Sequence, residues 1–541
     1  MKLKDIEARF QPTGDGKCAQ AMNGMVATAF PDATEAGVEV LKAGGNAVDA
    51  ACAAALALGV CEPQASGIGG QTMMILYTGT KIIAIDGSSR APSLAHVKAI
   101  YQTDRASGYR ASTVPSTLAT LGYTHKRYGS LPWDKIVEPA IRIAVDGYKI
   151  TELQHKLQIR EQEKFDEVES KSGKKYFFKN GVPYETGDIF QQPDLARTLK
   201  RIAEKGVQDF YTGKIARQID ADMRENGGLL RQDDLALIPL PIERQPLNRK
   251  FRNYSVYTMP PPGSGRTLLF SLAMINAIPP RRLIKNKVKR AHLLAEIFRK
   301  ALLERSDRPF DPNFYPQVSE KEMLSGKFAH QCIKEIAKNI DPNLPIRETE
   351  DELTGETTHL AVMDNNGMAV SLTQSIERVY GSKAAADGLG FLYNNYMLDF
   401  EYSEAGHPFY LRPNAVPWAT VAPTLVFRRN KIWMALGSPG SERSITTIVQ
   451  FLSHIIDEGM SIGEAMLAPR LHCSLGGKVS LEAERFSEDI IKSFKERGYR
   501  INKREAFAFY LGAIHAVMKC RESDGFQGVA EVRRDGIAAG F

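Results

Sequence analysis

From Pro31 to Val60 small and apolar residues recur at helical spacing, with Ala33, Ala36 and Gly37 among them, and the pattern breaks at Ala43-Gly44-Gly45-Asn46. It predicts two closely packed helices separated by a helix stop and a turn. The second, Ala47 to Cys61, is Ala-rich, carries Asp49 and falls well short of the roughly 20 residues needed to span a bilayer, so it reads as a buried helix. The period then changes. Thr72 to Tyr77, a Thr-Gly-Thr turn and Lys81 to Asp86 predict a β-hairpin. The middle of the chain, from about Thr113 to Ala329, reads as mostly helical, with breaks at Pro132, Pro139, Pro193 and the Pro260-Pro261-Pro262-Gly263 run.

Asp341 to Glu356 is acidic and polar and contains Pro342 and Pro345, as an exposed linker would. After it, Thr358 to Met363, the turn Asp364-Asn365-Asn366-Gly367 and Met368 to Ser375 alternate as two antiparallel strands do. Thr424 to Phe427 and Lys431 to Gly437 form a second hairpin, with a helix expected from near Arg443. Ala513 to Met518 and Gly528 to Arg533 form a third. Hairpins alternating with helix pairs predict antiparallel sheets covered by helices, an α+β fold rather than a parallel β-α-β array.

Composition adds limits rather than chemistry. A chain of 541 residues with 43% apolar and 25% charged residues can bury a large core and is globular. The segment Met1 to Phe30 lacks the apolar core of about 7 to 15 residues of a secretory signal, so a cytoplasmic location is expected. The six cysteines lie far apart without a C-x-x-C pair, which implies neither a disulfide framework nor a structural zinc. The net charge of +7 is concentrated only between Arg281 and Arg290, read as a solvated loop leading into a helix from Ala291 to Arg305, not as a nucleic-acid or lipid surface. Gly67-Ile-Gly69-Gly70 and Gly263-Ser264-Gly265-Arg266 lack the spacing or ending of nucleotide-binding loops. No cofactor, metal, nucleic acid or membrane partner is expected.

The candidate chemistry lies at Glu356-Thr357-Thr358-His359, where the linker meets a strand. A cut before Thr357 would place a free amine at the strand end. A Thr hydroxyl is a poor nucleophile at neutral pH, but an α-amine, with a pKa of about 7.7 to 8.0, accepts its proton, so one residue supplies nucleophile and base. Thr-Thr at a strand start is also ordinary β-propensity, and the motif alone does not decide between the two. His359 and His515 read as packed core histidines.

Several segments together give a resemblance. Thr357 to His359, Asn394-Asn395-x-Met397-x-Asp399-Phe400, Ala422-Pro423-Thr424, Gly437-Ser438-Pro439-Gly440 and Ala468-Pro469-Arg470-Leu471-His472 stand in the order and spacing of the gamma-glutamyltransferase family. Upstream, Ala43-Gly44-Gly45-Asn46-Ala47-x-Asp49-Ala50, Leu131-Pro132, Pro139-Ala140 with Ala144-x-Asp146-Gly147, and the Pro260 to Gly263 run resemble it too. The resemblance implies a four-layer helix, sheet, sheet, helix sandwich of the N-terminal-nucleophile hydrolases, self-cleavage before Thr357, and two subunits from one precursor. These would be residues 1–356 and 357–541, that is 356 and 541 − 356 = 185 residues, and a dimer of processed heterodimers is a further expectation.

Carried over by position, Thr357 is the nucleophile, and Ser375 stands where the family has a Thr whose hydroxyl assists the nucleophile's amine and self-cleavage. Gly440 and Ser441 match a Gly-Gly pair whose amides form an oxyanion hole. The family's α-amino ligands become Glu377, Tyr396 and Asp399, and its Ser-Ser pair becomes Ala419-Thr420, keeping one hydroxyl at Thr420. The arginine that grips an α-carboxylate is replaced by Ser88, and Arg90 is displaced from it by two residues, either reaching the pocket or pairing with a surface acid. The short segment from Phe400 to Pro417 implies an open site that favours hydrolysis over transfer. Gamma-glutamyl amides such as glutathione are the expected substrates, with oxamate-type or glutaryl-type amides, or an uncut silent binding protein, as alternatives.

Overall fold

The computed structural model describes residues 3–237, 241–307, 323–338, 355–520 and 524–541. In the strand Gly355–Asp364, Leu360 and Val362 pack among helices while Ala361 and Met363 face a second sheet. The strand Thr424–Arg428 repeats the arrangement on the other side: Val426 meets helices, and Leu425 and Phe427 face back across the sandwich. Side chains alternate along a strand, so residues with period two build one core on each face of each sheet. The result is four layers, helix on sheet on sheet on helix.

One sheet runs in the order Cys18–Ala21, Phe526–Ala530, His515–Lys519, Lys431–Gly437, Thr424–Arg428, Tyr254–Thr258, Leu247–Phe251. The other runs Ala538–Gly540, Gly24–Ala27, Gly355–Asp364, Ala369–Arg378, Gln71–Tyr77, Ile82–Gly87, Ile242–Arg244. Every pairing in both is antiparallel. The helices Pro31–Lys42 and Ala47–Cys61 cover the second sheet. Ala47–Cys61 starts on a capping box in which Asn46 accepts from the Asp49 amide and Asp49 accepts from the Asn46 amide. The helices Gly265–Asn276, Lys287–Asp307 and Glu442–Ile456 cover the first.

The structure corrects several details. Pro139 does not break its helix: Trp133–Asp146 runs through it, held by burial of Ile136, Val137, Ala140, Ile143 and Ala144. The basic cluster is helical, in Pro280–Lys285 and the start of Lys287–Asp307, and Arg290 is buried against Glu458 rather than solvated. The region read as mostly helical also contains the strands Ile242–Arg244, Leu247–Phe251 and Tyr254–Thr258. Residues 339–354, most of the expected linker, lie outside the described residues. No described helix is long and apolar enough to cross a membrane.

Candidate active site

Thr357 sits in the third strand of its sheet, beside a register shift. Glu356 pairs with Glu377 and Thr358 with Gln374, so Ser375 and Ile376 oppose Thr357 alone. This bulge turns Ser375 toward the backbone of the neighbouring strand. The Thr357 hydroxyl donates to Ser375 Oγ at 3.2 Å, and Ser375 Oγ donates to the carbonyl oxygen of Glu356 at 2.8 Å. That carbonyl belongs to the Glu356-Thr357 peptide. The Glu377 amide fixes the same Oγ from a third direction at 2.9 Å. The surroundings of the bulge are tight: a Cβ on Gly70 would lie 2.2 Å from the Ser375 carbonyl oxygen.

The segment before Thr357 is held by charge. Glu356 Oε1 lies 2.8 Å from Arg534 Nη1 and accepts from the Thr357 amide at 3.2 Å. Arg534 in turn lies over the Phe509 ring at 3.6 Å. Glu62 lies in the same buried neighbourhood: burial pushes its carboxyl up to about 8, opposed by Arg534 and by the Thr358 hydroxyl. His359 donates to or accepts from Thr373 Oγ1 at 2.8 Å. Burial pushes His359 well down and His515 down to about 3, so both imidazoles are neutral at pH 7.

Gly440 and Ser441 form the turn from Lys431–Gly437 into Glu442–Ile456. Gly440 has φ of 115°, and Ser441 has φ of 52° and ψ of −132°, a conformation few side chains adopt. The turn faces Thr357's own segment: a Cβ on Gly355 would lie 3.1 Å from Ser441 Cβ and 3.4 Å from Glu377 Oε1. The amides of the turn lie at the N-terminus of a 15-residue helix, whose partial positive charge favours an anion.

The remaining candidates divide. Glu377 and Asp399 hydrogen-bond through their carboxyls, and burial raises both, Asp399 well above the usual range, with the charge of Glu377 raising Asp399 further. Tyr396 is buried beside them, its hydroxyl hydrogen-bonded to Ser375 and Gln71 and raised by burial. Thr420 accepts from Arg305 Nη2 at 3.2 Å. Arg90 stands apart, bridging backbone with Val114, donating to the Asn414 carbonyl at 3.2 Å and lining a cavity of about 10 Å³ with Asp86 and Ser88. None of Thr357, Ser375, Glu377, Asp399 or Ser441 lines that cavity, which has room for about one water. Sequence reasoning missed Arg305, Arg534 and Glu62. They lie 52, 177 and 295 residues from Thr357, and no local pattern marks them.

Two stacked antiparallel sheets between helices, with a Thr hydroxyl at the start of a central strand, define the N-terminal-nucleophile hydrolase fold. Over 97% of both chains the structure resembles a cephalosporin acylase from Bacillus halodurans, with TM-score 0.88 and 28% identity. A Helicobacter pylori gamma-glutamyltranspeptidase matches 60% of this chain and 96% of its own, with TM-score 0.53 and 32% identity. In sequence, the glutathione hydrolase proenzyme of Escherichia coli K12 is 32% identical, over 96% of this chain and 92% of its own. The acylase ACY 1 proenzyme of Pseudomonas sp. SE83 is 31% identical, over 93% and 91%. Residues 33–541 match the gamma-glutamyltranspeptidase family as a whole. The chain belongs to that family, and it is a self-processing enzyme with the family's fold.

Proposed function

We propose that the chain cuts itself between Glu356 and Thr357 and that Thr357, as the new N-terminus, hydrolyses gamma-glutamyl amides of the glutathione type. The observation that carries this reading is the bridge at Ser375. Its Oγ accepts from the Thr357 hydroxyl and donates to the Glu356 carbonyl, touching both the attacking and the attacked group. In self-cleavage, Thr357 Oγ adds to the Glu356 carbonyl carbon while Ser375 relays the hydroxyl proton to the carbonyl oxygen; as the carbonyl re-forms, that proton passes to the Thr357 nitrogen and the C–N bond breaks, leaving an ester and a free amine. Water then hydrolyses the ester, freeing the Glu356 carboxylate and the Thr357 hydroxyl. The products are residues 1–356 and 357–541.

In the mature enzyme the Thr357 amine accepts the proton of its own hydroxyl as Oγ attacks the substrate carbonyl. The Gly440 and Ser441 amides hold the oxyanion, and each such donor contributes about 2.7 to 4 kcal/mol at the transition state. The protonated amine donates to the leaving nitrogen, and water resolves the acyl-enzyme. The Glu377–Asp399 pair, with Tyr396 beside it, suits an α-ammonium group, which favours gamma-glutamyl over glutaryl amides. Water is the expected acceptor because the segment from Phe400 to Pro417 is short. The buried thiols of Cys18, Cys52, Cys61, Cys332 and Cys473 suit a reducing compartment, and the cytoplasm is proposed.

Release of p-nitroaniline from L-gamma-glutamyl and from glutaryl p-nitroanilide tests the substrate, with Thr357→Ala as the blank. Faster release from the gamma-glutamyl amide is expected. Equal rates on the two would show indifference to the α-amino group and replace this reading with an acylase.

A further inference from the structure

In the neighbourhood of the Glu377–Asp399 pair the structure holds a buried guanidinium that the proposed self-cleavage does not use. Arg305, near the end of Lys287–Asp307, is buried, and its guanidinium carbon lies 4.1 Å over the Trp418 ring. Nη2 donates to Thr420 Oγ1, the hydroxyl that stands for the family's carboxylate-assisting Ser pair. Nη1 is buried and has no hydrogen-bond partner among the described residues. Asp399 Oδ2 is likewise buried without a partner. Arg305 feels the charges of Glu442, Asp399 and Glu377, with Arg266 opposing, so it shares the neighbourhood of the carboxyl pair. An arginine buried with an empty donor costs several kcal/mol unless a further group completes it, and a carboxylate is the group a guanidinium fork fits. A cationic donor and a carboxyl pair in one neighbourhood suit the two charges of a zwitterion.

We propose that Arg305, and not Arg90, is the specificity-determining residue that binds the α-carboxylate of a gamma-glutamyl substrate, with Trp418 supporting the guanidinium plane and Thr420 at its edge. The assignment rests on the gamma-glutamyl reading for the identity of the acyl group, but not for the presence of a carboxylate on it. Arg90 lines a cavity with room for about one water, whereas Arg305 reaches the hydroxyl of Thr420, a residue that Ser444 ties to the oxyanion turn: Ser444 Oγ donates to the Ser441 carbonyl at 2.6 Å and to the Thr420 carbonyl at 3.5 Å.

The test is a cycle of enzyme and substrate changes on four p-nitroanilides. Gamma-glutamyl carries carboxylate and ammonium, glutaryl only the carboxylate, 4-aminobutanoyl only the ammonium, and butanoyl neither. Wild type is expected to prefer gamma-glutamyl over 4-aminobutanoyl by roughly 10- to 100-fold in kcat/KM, the range of one charged hydrogen-bonded contact. In Arg305→Gln that preference falls to within about twofold, and Arg305→Lys, which keeps charge without the fork, is intermediate. A merely structural arginine would lower all four substrates alike and leave the ratio intact, which overturns the proposal. A ratio lost in Arg90→Gln and kept in Arg305→Gln overturns it as well. If wild type accepts glutaryl but not gamma-glutamyl amides, the proposed substrate is wrong, and the glutaryl to butanoyl ratio then reads Arg305 by the same criterion. A wild type that cuts itself and hydrolyses none of the four contradicts both.

Discussion

Replacing Ser375 with Ala removes one oxygen that makes four contacts, to Thr357, Glu356, Glu377 and Tyr396. The hydrogen bond to the Glu356 carbonyl at 2.8 Å is the one aimed at developing charge, since that oxygen becomes the oxyanion when Thr357 attacks. Loss of one such donor costs about 2.7 to 4 kcal/mol, or roughly 10² to 10³ in rate. The acceptor for the Thr357 hydroxyl at 3.2 Å disappears as well, and the part-buried Glu377 amide loses its partner, a cost of about 1 kcal/mol in stability. Maturation of Ser375→Ala is therefore expected to slow by at least about 10²-fold. The assay follows conversion of single chain into two fragments on denaturing gels after a pulse of synthesis, with thermal unfolding of the uncut chain measured alongside. Ser375→Thr restores the hydroxyl and should cut within a few fold of wild type. Maturation of Ser375→Ala at the wild-type rate would refute the role given to this side chain.

Two further expectations concern stability. Glu531 is buried with Arg470 Nη2 at 2.6 Å and Arg533 Nη1 at 2.7 Å, and these arginines, with the Ile514 amide, hold its carboxyl down to about 2 against the desolvation of burial. A depressed carboxylate contributes stability that is fully present above its unfolded pKa near 4.5 and is lost as pH falls through the folded value, here roughly 3 kcal/mol between about pH 5 and 2. Glu531→Gln should destabilise the protein at pH 7 and flatten its stability profile over that acid range; an unchanged slope in urea titrations at pH 5 and 3 would contradict the assignment. Ser441 occupies a backbone conformation with φ of 52° that glycine adopts without strain, so Ser441→Gly is expected to stabilise the chain by about 1 kcal/mol, and a lower melting temperature would show that the side chain's contacts outweigh the strain.

The strands that carry Thr357 and Ser375 were legible because Asp364-Asn365-Asn366-Gly367 turns the chain between two runs rich in β-branched and apolar residues. Each run buries both faces, Ala361 and Met363 in one core and Leu360 and Val362 in another. The pair Leu247–Phe251 and Tyr254–Thr258 was hidden inside a region read as helical, although Tyr254, Val256 and Thr258 alternate as buried positions and Arg252 turns the chain with φ of 54°. The early strands Cys18–Ala21 and Gly24–Ala27 are four residues each and join different sheets, so they form no hairpin whose signal could mark them. Pro139 misled because sequence weighs a missing amide but not the apolar face that holds the helix around it.

At the site, sequence position brought Thr357, Ser375, Glu377, Asp399, Thr420, Gly440 and Ser441 into view. Their relation was not legible. Whether Ser375 reaches the Glu356 carbonyl depends on a single register shift, and whether an arginine comes from residue 90 or residue 305 depends on how a helix of the other layer ends over Trp418. Both are decided by packing between segments remote in the chain.

The central claim is that Thr357 is released as a new N-terminus by the chain's own chemistry. Intact mass and N-terminal sequencing of the purified protein beside its Thr357→Ala variant test this directly. Two fragments, the smaller of 185 residues beginning Thr357-Thr358-His359, with the variant remaining one chain, is the predicted result. A wild-type chain that stays whole, or a cut at the same bond in Thr357→Ala, would contradict it.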